Sequence, residues 1–200
     1  MTDHYFSADP GTASRPRVVR FRMDGRSYEL ASDAHVFSAD RLDPGTAVLL
    51  RAAPPPSGDR ILDLGCGYGP IACVQATRRR EAQVWAVDVN PRARDLAAAN
   101  AEACGVGARV HVAEPGEVGE QVTFDEIWSN PPIRVGKVAL HEMLTTWLSR
   151  LDTDGTAWLV VAKNLGSDSL QRWLAEQGYD AHRFTSQGGY RVLRVRHGSS

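Results

Sequence analysis

Apolar and polar positions alternate with a period of two at the start of the chain: Val19, Phe21 and Met23 fall on one face, Arg20 and Arg22 on the other. Asp24-Gly25 then supplies a two-residue turn and Arg26-Ser27-Tyr28-Glu29-Leu30 returns, so 17–30 predicts a β-hairpin. Asp43 stands as an N-cap with Pro44 at the first helical position, opening a short helix through Ala47, Val48, Leu49 and Leu50. The run Ala53-Pro54-Pro55-Pro56-Ser57-Gly58 stops it. From residue 60 onward, short apolar runs alternate with helical spacing. Strands are expected over 60–64, 84–87, 109–113, 124–129 and 156–162. Between them, helices carry Ile71 to Ala76, Ala93 to Asn100, and Leu140, Met143, Leu144, Trp147 and Leu148; a further helix covers 170–177. Two last strands, 180–185 and 190–196, turn about Gly188-Gly189. Strand–helix alternation of this kind predicts an α/β fold with a mostly parallel sheet and helices on both faces.

Composition narrows the picture. The 200 residues, 42% hydrophobic, are enough for one core, so 1–200 is expected to be a single domain, with an arm and β-hairpin over 1–35 and the catalytic core over 36–200. No apolar run reaches membrane-spanning length and the first residues lack an export signal, which points to a soluble, cytoplasmic protein. Cys66, Cys73 and Cys104 are odd in number and lack Cys-x-x-Cys spacing, so they read as reduced thiols, with neither disulfide framework nor metal site. A net charge of −1 excludes a globally basic nucleic-acid binder, but Arg15, Arg17, Arg20, Arg22 and Arg26 are clustered. They are either a local phosphate-binding patch or solubilising charge on an exposed ribbon.

The first candidate chemistry lies at the end of the 60–64 strand. Asp63-x-Gly65-x-Gly67-x-Gly69 places bare backbone at the carboxyl edge of a parallel sheet, where such folds bind ligands. The dinucleotide fingerprint needs its third glycine three positions after the second, and Pro70 stands there. A carboxylate at Asp63 repels a pyrophosphate but suits a ligand with an amino group and a sulfonium, such as S-adenosylmethionine. Asp88, ending the next strand, fits a bidentate hydrogen bond to ribose hydroxyls. The alternative is that both carboxylates merely cap helices.

The second lies after the 124–129 strand, at Asn130-Pro131-Pro132-Ile133. An exocyclic amine on a base is a poor nucleophile because its lone pair is delocalised into the ring. The Asn130 carbonyl and the Pro131 backbone carbonyl can each accept an amine hydrogen and localise that lone pair. Pro131 and Pro132 fix φ and carry no N–H. Methyl transfer then requires no metal and no covalent intermediate.

Together these positions resemble class I S-adenosylmethionine-dependent methyltransferases. More narrowly, His35-Val36-Phe37-Ser38-Ala39-Asp40-Arg41-Leu42-Asp43-Pro44-Gly45-Thr46 and Gly188-Gly189-Tyr190-Arg191-Val192-Leu193 resemble the small-domain (MTS) enzymes that modify guanine N2 in small-subunit ribosomal RNA, and His4-Tyr5-Phe6-Ser7 resembles their single-domain members. The resemblance implies a Rossmann-like seven-stranded sheet with an antiparallel last strand. It implies a cofactor site of Phe37, Thr46, Asp63, Gly65, Cys66, Gly67, Tyr68, Gly69, Asp88, Val89 and Asn130, with Glu114 or Glu117 beside the adenine. Related enzymes carry an aromatic residue where Ile133 stands. Ile133 packing on the base, or Arg134 stacking on it or contacting phosphate, are the substitutes, against a core role for Ile133 and a surface role for Arg134. Lys163-Asn164 either touch substrate or cap a helix, and Trp128 packs. The implied partner is small-subunit rRNA, held by Arg20 and Arg22 of the ribbon. Methylation of a protein glutamine or small-molecule amine, and a non-catalytic cofactor-binding assembly factor, are the alternatives. The sequence sets no oligomeric state.

Overall fold

The structure, a computed structural model, describes residues 15–33 and 41–198. Strands β1 (Pro16–Met23) and β2 (Arg26–Asp33) form the expected hairpin. Asp24 and Gly25 both take positive φ, 50° and 77°, the twist that a two-residue turn needs to match its strands. Val19, Met23, Tyr28 and Leu30 face inward and join the same apolar cluster as Ile71, Val74 and Ala97 of the core.

The core continues with α1 (Pro44–Ala52), β3 (Arg60–Leu64), α2 (Pro70–Arg78), β4 (Gln83–Val87), α3 (Pro91–Ala103), β5 (Val110–Ala113) and β6 (Phe124–Ser129). It ends with α4 (Lys137–Leu148), β7 (Leu151–Ala162), α5 (Ser167–Glu176), β8 (Tyr179–Gln187) and β9 (Tyr190–His197). The seven-stranded sheet runs β5-β4-β3-β6-β7-β9-β8. Only β9 runs against the others, slotted antiparallel between β7 and β8. This is the class I methyltransferase arrangement that the resemblance implied. Two apolar clusters cover the two faces: one around Ile61, Val84, Trp128 and Val160, the other around Leu62, Ile127, Leu144 and Leu159.

Several boundaries differ from expectation: β2 runs on to Asp33 and β8 spans Tyr179–Gln187. β7 starts at Leu151, five residues before the expected strand, because Leu151 pairs with Phe124 and a register shift absorbs the polar residues before Thr156. α5 starts at Ser167, behind the left-handed Gly166. Among the described residues no helix is long and apolar enough to cross a membrane.

Strand order reverses between β3 and β6: β4 and β5 extend to one side, β7 to the other. At such a switch point the connections after the two central strands diverge and leave a crevice at their carboxyl ends. The glycine turn follows β3, and Asn130 follows β6.

Candidate functional site

β3 and β6 are adjacent and parallel, with Asp63 opposite Trp128 and Leu64 opposite Ser129. Register alone therefore carries the glycine turn and the Asn-Pro-Pro segment out of the sheet side by side. A Cβ placed on Gly65 would find Pro132 Cδ as its nearest neighbour, at 4.0 Å. Gly65, Gly67 and Gly69 all have positive φ (72°, 55° and 83°), which side-chain-bearing residues rarely adopt. At Gly69 a Cβ would also meet Ala97 Cβ at 3.1 Å, so this glycine lets α3 approach the turn.

Asp63 is fully buried. Its Oδ2 accepts from Ala72 N in the first turn of α2 at 2.9 Å, while Oδ1 has no partner among the described residues. Burial above all, with the neighbouring Asp88 charge, pushes its carboxyl up to about 8, against the single opposing hydrogen bond from Ala72. The Cys66 thiol is pushed up too, by burial and then by Asp63 and Asp88. Both groups are raised first by burial and only then by the carboxylates beside them. Two acidic side chains at the turn suit a ligand with an amino group and a sulfonium better than a pyrophosphate.

Asp88, half-buried at the end of β4, accepts from Gly67 N (2.9 Å) on Oδ2 and from Asn90 N (2.9 Å) on Oδ1. One lone pair remains on each oxygen, which suits two ribose hydroxyls. Next to it Val89 is 40% exposed, an apolar surface at the rim. Arg94 fixes this loop, donating to the carbonyls of Asp88 and Val89 at 2.9 Å each and reaching Glu114 Oε2 at 3.3 Å. Glu117 turns back to accept from Glu114 N at 2.9 Å, so of the two glutamates it is Glu114 that connects with the Asp88 loop.

Asn130 donates through Nδ2 to Asp43 Oδ1 (2.7 Å) and to Thr46 Oγ1 (3.1 Å). No hydrogen bond to its Oδ1 is found among the described residues. The amide thus spends its donors on α1 and keeps its carbonyl as an acceptor. The Pro131 carbonyl, expected as a second acceptor, already accepts from Ile133 N at 2.8 Å and keeps one lone pair. Thr46, expected near the methionine end of the cofactor, lies against Asn130; Phe37 lies outside the described residues.

Other expectations are adjusted. Ile133 is half-buried and packs on the apolar cluster of Ile127 and Leu144, so its first attachment is to the core. Ile133 and Arg134 begin a short 3-10 turn that ends at Val135. Lys163 and Asn164 lie in another such turn, and α5 is capped by Gly166 with no side-chain bond, so Asn164 does not cap it. Trp128 is buried and packs, as expected, and it also donates from Nε1 to Glu126.

Among the described residues no hydrogen bond or ion pair joins Arg20 or Arg22 to Asp63, Asp88 or Asn130. Arg20 is paired with Glu29 across the hairpin (2.9 and 3.0 Å), and Arg22 donates to Gly25 O at 3.3 Å. The hairpin turn is anchored by an Asp24–Arg78 ion pair at the last turn of α2, about 12 Å along that helix from the glycine turn at its start. Asn100 is a strut that no sequence pattern marked. It is buried, donates to Ala31 O and Tyr68 O at 2.8 Å, and accepts from Ala31 N at 2.7 Å, tying the hairpin to the glycine turn. A mid-helix asparagine carries no sequence signal for partners 32 and 69 residues away.

The family described as methyltransferase small domain matches residues 27–194. The chain belongs to that family. It is accordingly an S-adenosylmethionine-dependent methyltransferase, as its sequence led us to expect. The uncharacterized protein YbxB of Bacillus subtilis is 31% identical over 98% of this chain and 99% of its own length. The ribosomal RNA small subunit methyltransferase C of Hahella chejuensis is 40% identical over 56% of this chain and 35% of its own. For the ribosomal RNA large subunit methyltransferase G of Pseudomonas putida the figures are 33%, 82% and 46%. The chain therefore spans less than half the length of these two named RNA methyltransferases. The T. thermophilus 16S rRNA N2 G1207 methyltransferase, solved in complex with AdoMet and guanosine, has the same fold, with a TM-score of 0.77 at 24% identity over 94% of this chain and 52% of that one.

Proposed function

We propose that this protein transfers a methyl group to the exocyclic N2 amine of a guanine in ribosomal RNA, most specifically that of the small subunit. The observation that carries this reading is the state of Asn130: an amide whose two N–H groups are held from behind and whose carbonyl oxygen is left over, directly after the strand beside the glycine turn. The bound cofactor supplies an electrophilic methyl group on a sulfonium.

The chain's own residues do the rest. Asp63 and Asp88 hold the cationic and ribose ends of the cofactor; Gly65, Cys66, Gly67, Tyr68 and Gly69 let it lie on backbone; Val89 and Glu114 border the adenine. Asn130 Oδ1, with the remaining lone pair of Pro131 O, accepts the amine hydrogens. This turns the nitrogen lone pair toward the methyl group and favours positive charge as it develops there. Pro132 and Ile133 close the crevice on the glycine side and the core side. No base stronger than water is required, because the product loses its proton after transfer.

Two further observations support an RNA substrate. Lys137 opens α4 just past the Asn-Pro-Pro segment, and Lys163 follows β7 at the same sheet edge, both exposed, so two cationic residues share one rim. The named relatives act, by their names, on small- and large-subunit ribosomal RNA. We further read the hairpin and core as one domain, because they share an apolar cluster, and place the protein in the cytoplasm with its substrate.

The test is incubation with tritiated S-adenosylmethionine and undermethylated small and large ribosomal subunits, then nucleoside mapping. Label in N2-methylguanosine of the small subunit is the expected result. Label in the large subunit corrects the subunit, and label in protein or in another nucleoside overturns the reading.

A further inference from the structure

Asp43 is the N-cap of α1: its Oδ1 accepts from Thr46 N at 2.8 Å, an ordinary duty for an aspartate before Pro44. The same oxygen also accepts from Asn130 Nδ2 at 2.7 Å, across 87 residues of sequence. We propose that Asp43 is a positioning residue for methyl transfer, holding the Asn130 amide with its carbonyl toward the substrate amine. The inference rests on Asn130 being the amine acceptor proposed above.

The argument turns on which neighbour can tell one end of an amide from the other. The Thr46 hydroxyl, 3.1 Å from Nδ2, is both donor and acceptor and would tolerate either orientation. A carboxylate is acceptor only. If the Asn130 side chain turned over, its carbonyl oxygen would face Asp43 Oδ1 at hydrogen-bond distance with no proton between them. The NH2 group would then point at the substrate amine, where it offers hydrogens in place of an acceptor. Asp43 thus selects the productive orientation. A hydrogen bond from Nδ2 to an anion also draws electron density toward Oδ1, strengthening the acceptor as positive charge grows on the amine.

Asp43 is itself confined. It is 9% exposed. A Cβ on Gly45 would lie 2.9 Å from Tyr190 Cε1 and 3.0 Å from Asp43 Oδ1, so the first turn of α1 is pressed between β9 and the end of β6. Tyr68 of the glycine turn faces the same carboxylate, whose charge adds to burial in pushing its phenol up. The contact is therefore part of the packed molecule.

The test compares Asp43→Ser, Asp43→Asn and wild type. Serine keeps the N-cap but is too short to reach Asn130. It should lower kcat by about ten- to a hundred-fold, the range for groups that orient an active residue without touching the reactant. The melting temperature and the S-adenosylmethionine Kd should stay close to wild type. Asparagine restores an oxygen acceptor of the right length and should recover most of the loss. Full kcat in the serine variant, or a loss matched by weaker cofactor binding, overturns the proposal.

A second readout does not depend on the substrate. In protein labelled with 15N-asparagine, the Asn130 side-chain NH2 signals, assigned with Asn130→Asp, should be protected from solvent exchange in wild type and exposed in Asp43→Ser. Absence of that protection in wild type overturns the Asp43 role whatever the substrate. Protection in a wild-type protein that does not methylate guanine supports the Asp43 role and removes the guanine reading alone.

Discussion

Two carboxylates are buried in adjacent central strands, and they are treated in opposite ways. Glu126 in β6, at the amino end of the sheet, has every reason to be quiet: Oε1 accepts from Ser57 N (2.6 Å), Ser57 Oγ (3.1 Å) and Gly58 N (3.1 Å), and Oε2 accepts from Trp128 Nε1 (2.9 Å). Asp63 in β3, at the carboxyl end, gets one backbone hydrogen bond, keeps a bare oxygen, and is pushed up to about 8. Burying a charge without partners is costly, and a chain able to satisfy Glu126 four times over leaves Asp63 short. The difference separates a strut, complete in the folded chain, from the carboxylate we propose as part of the cofactor socket.

The largest test of that division is at the socket's other wall. Asn130→Ala should reduce turnover by about 10² to 10³, the effect of losing one aimed polar group, with cofactor affinity near wild type by calorimetry. Undiminished turnover would remove the amine clamp from the mechanism.

Glu126→Ala should show the reverse pattern. Stranding the buried Trp128 N–H and freeing the Ser57–Gly58 turn should cost about 2 to 4 kcal/mol in urea denaturation, while the cofactor Kd stays put. Weakened cofactor binding at unchanged stability would place Glu126 in the socket and break the comparison.

Asp63→Asn separates the two roles within one residue. Its folded-state pKa lies above the unfolded value, so its contribution to stability is fully present below roughly pH 4 and is lost as pH rises through about 8. The asparagine variant of the cofactor-free protein should lose that decline in a melting series across the window. It should also bind S-adenosylmethionine more weakly, by roughly 1.5 to 3 kcal/mol for the charged hydrogen bond removed. An unaltered pH profile would mean that Asp63 is not strained.

The smallest effects concern the rims. Lys137→Ala and Lys163→Ala should each lower the salt dependence of RNA affinity by about one in slope. Arg22→Ala, at the hairpin turn beside the far end of α2, should barely change it. A reversed ranking would restore the ribbon as the phosphate grip.

The sequence read well where the signal is local. The Asp24-Gly25 turn, the Asp43 and Asn90 caps and the bounds of β3 and β6 follow from neighbouring residues and were legible as such. The glycine turn and Asn-Pro-Pro were legible as a pair because each stands at the end of an apolar strand. Misreadings came from contacts across the chain. Glu29 pairs with Arg20 and Gly166 displaces Asn164 as the α5 cap, while of the two roles the sequence left open for Ile133 the second apolar cluster shows the core one. None of these partners can be read from the pattern around the residue concerned.

By itself, then, the sequence determined the order of strands and helices, the bare backbone at residues 65–69 and the kinds of polar group available, because periodicity, positive-φ glycines and capping depend on residues a few positions apart. Only the tertiary structure decided that, among the described residues, Asp63 keeps an oxygen without a partner while Glu126 keeps none, and that the cap of α1 also grips Asn130. Those outcomes depend on which groups the sheet register and helix packing bring within hydrogen-bond distance, and hydrogen bonding is too short-ranged for sequence separation to report it.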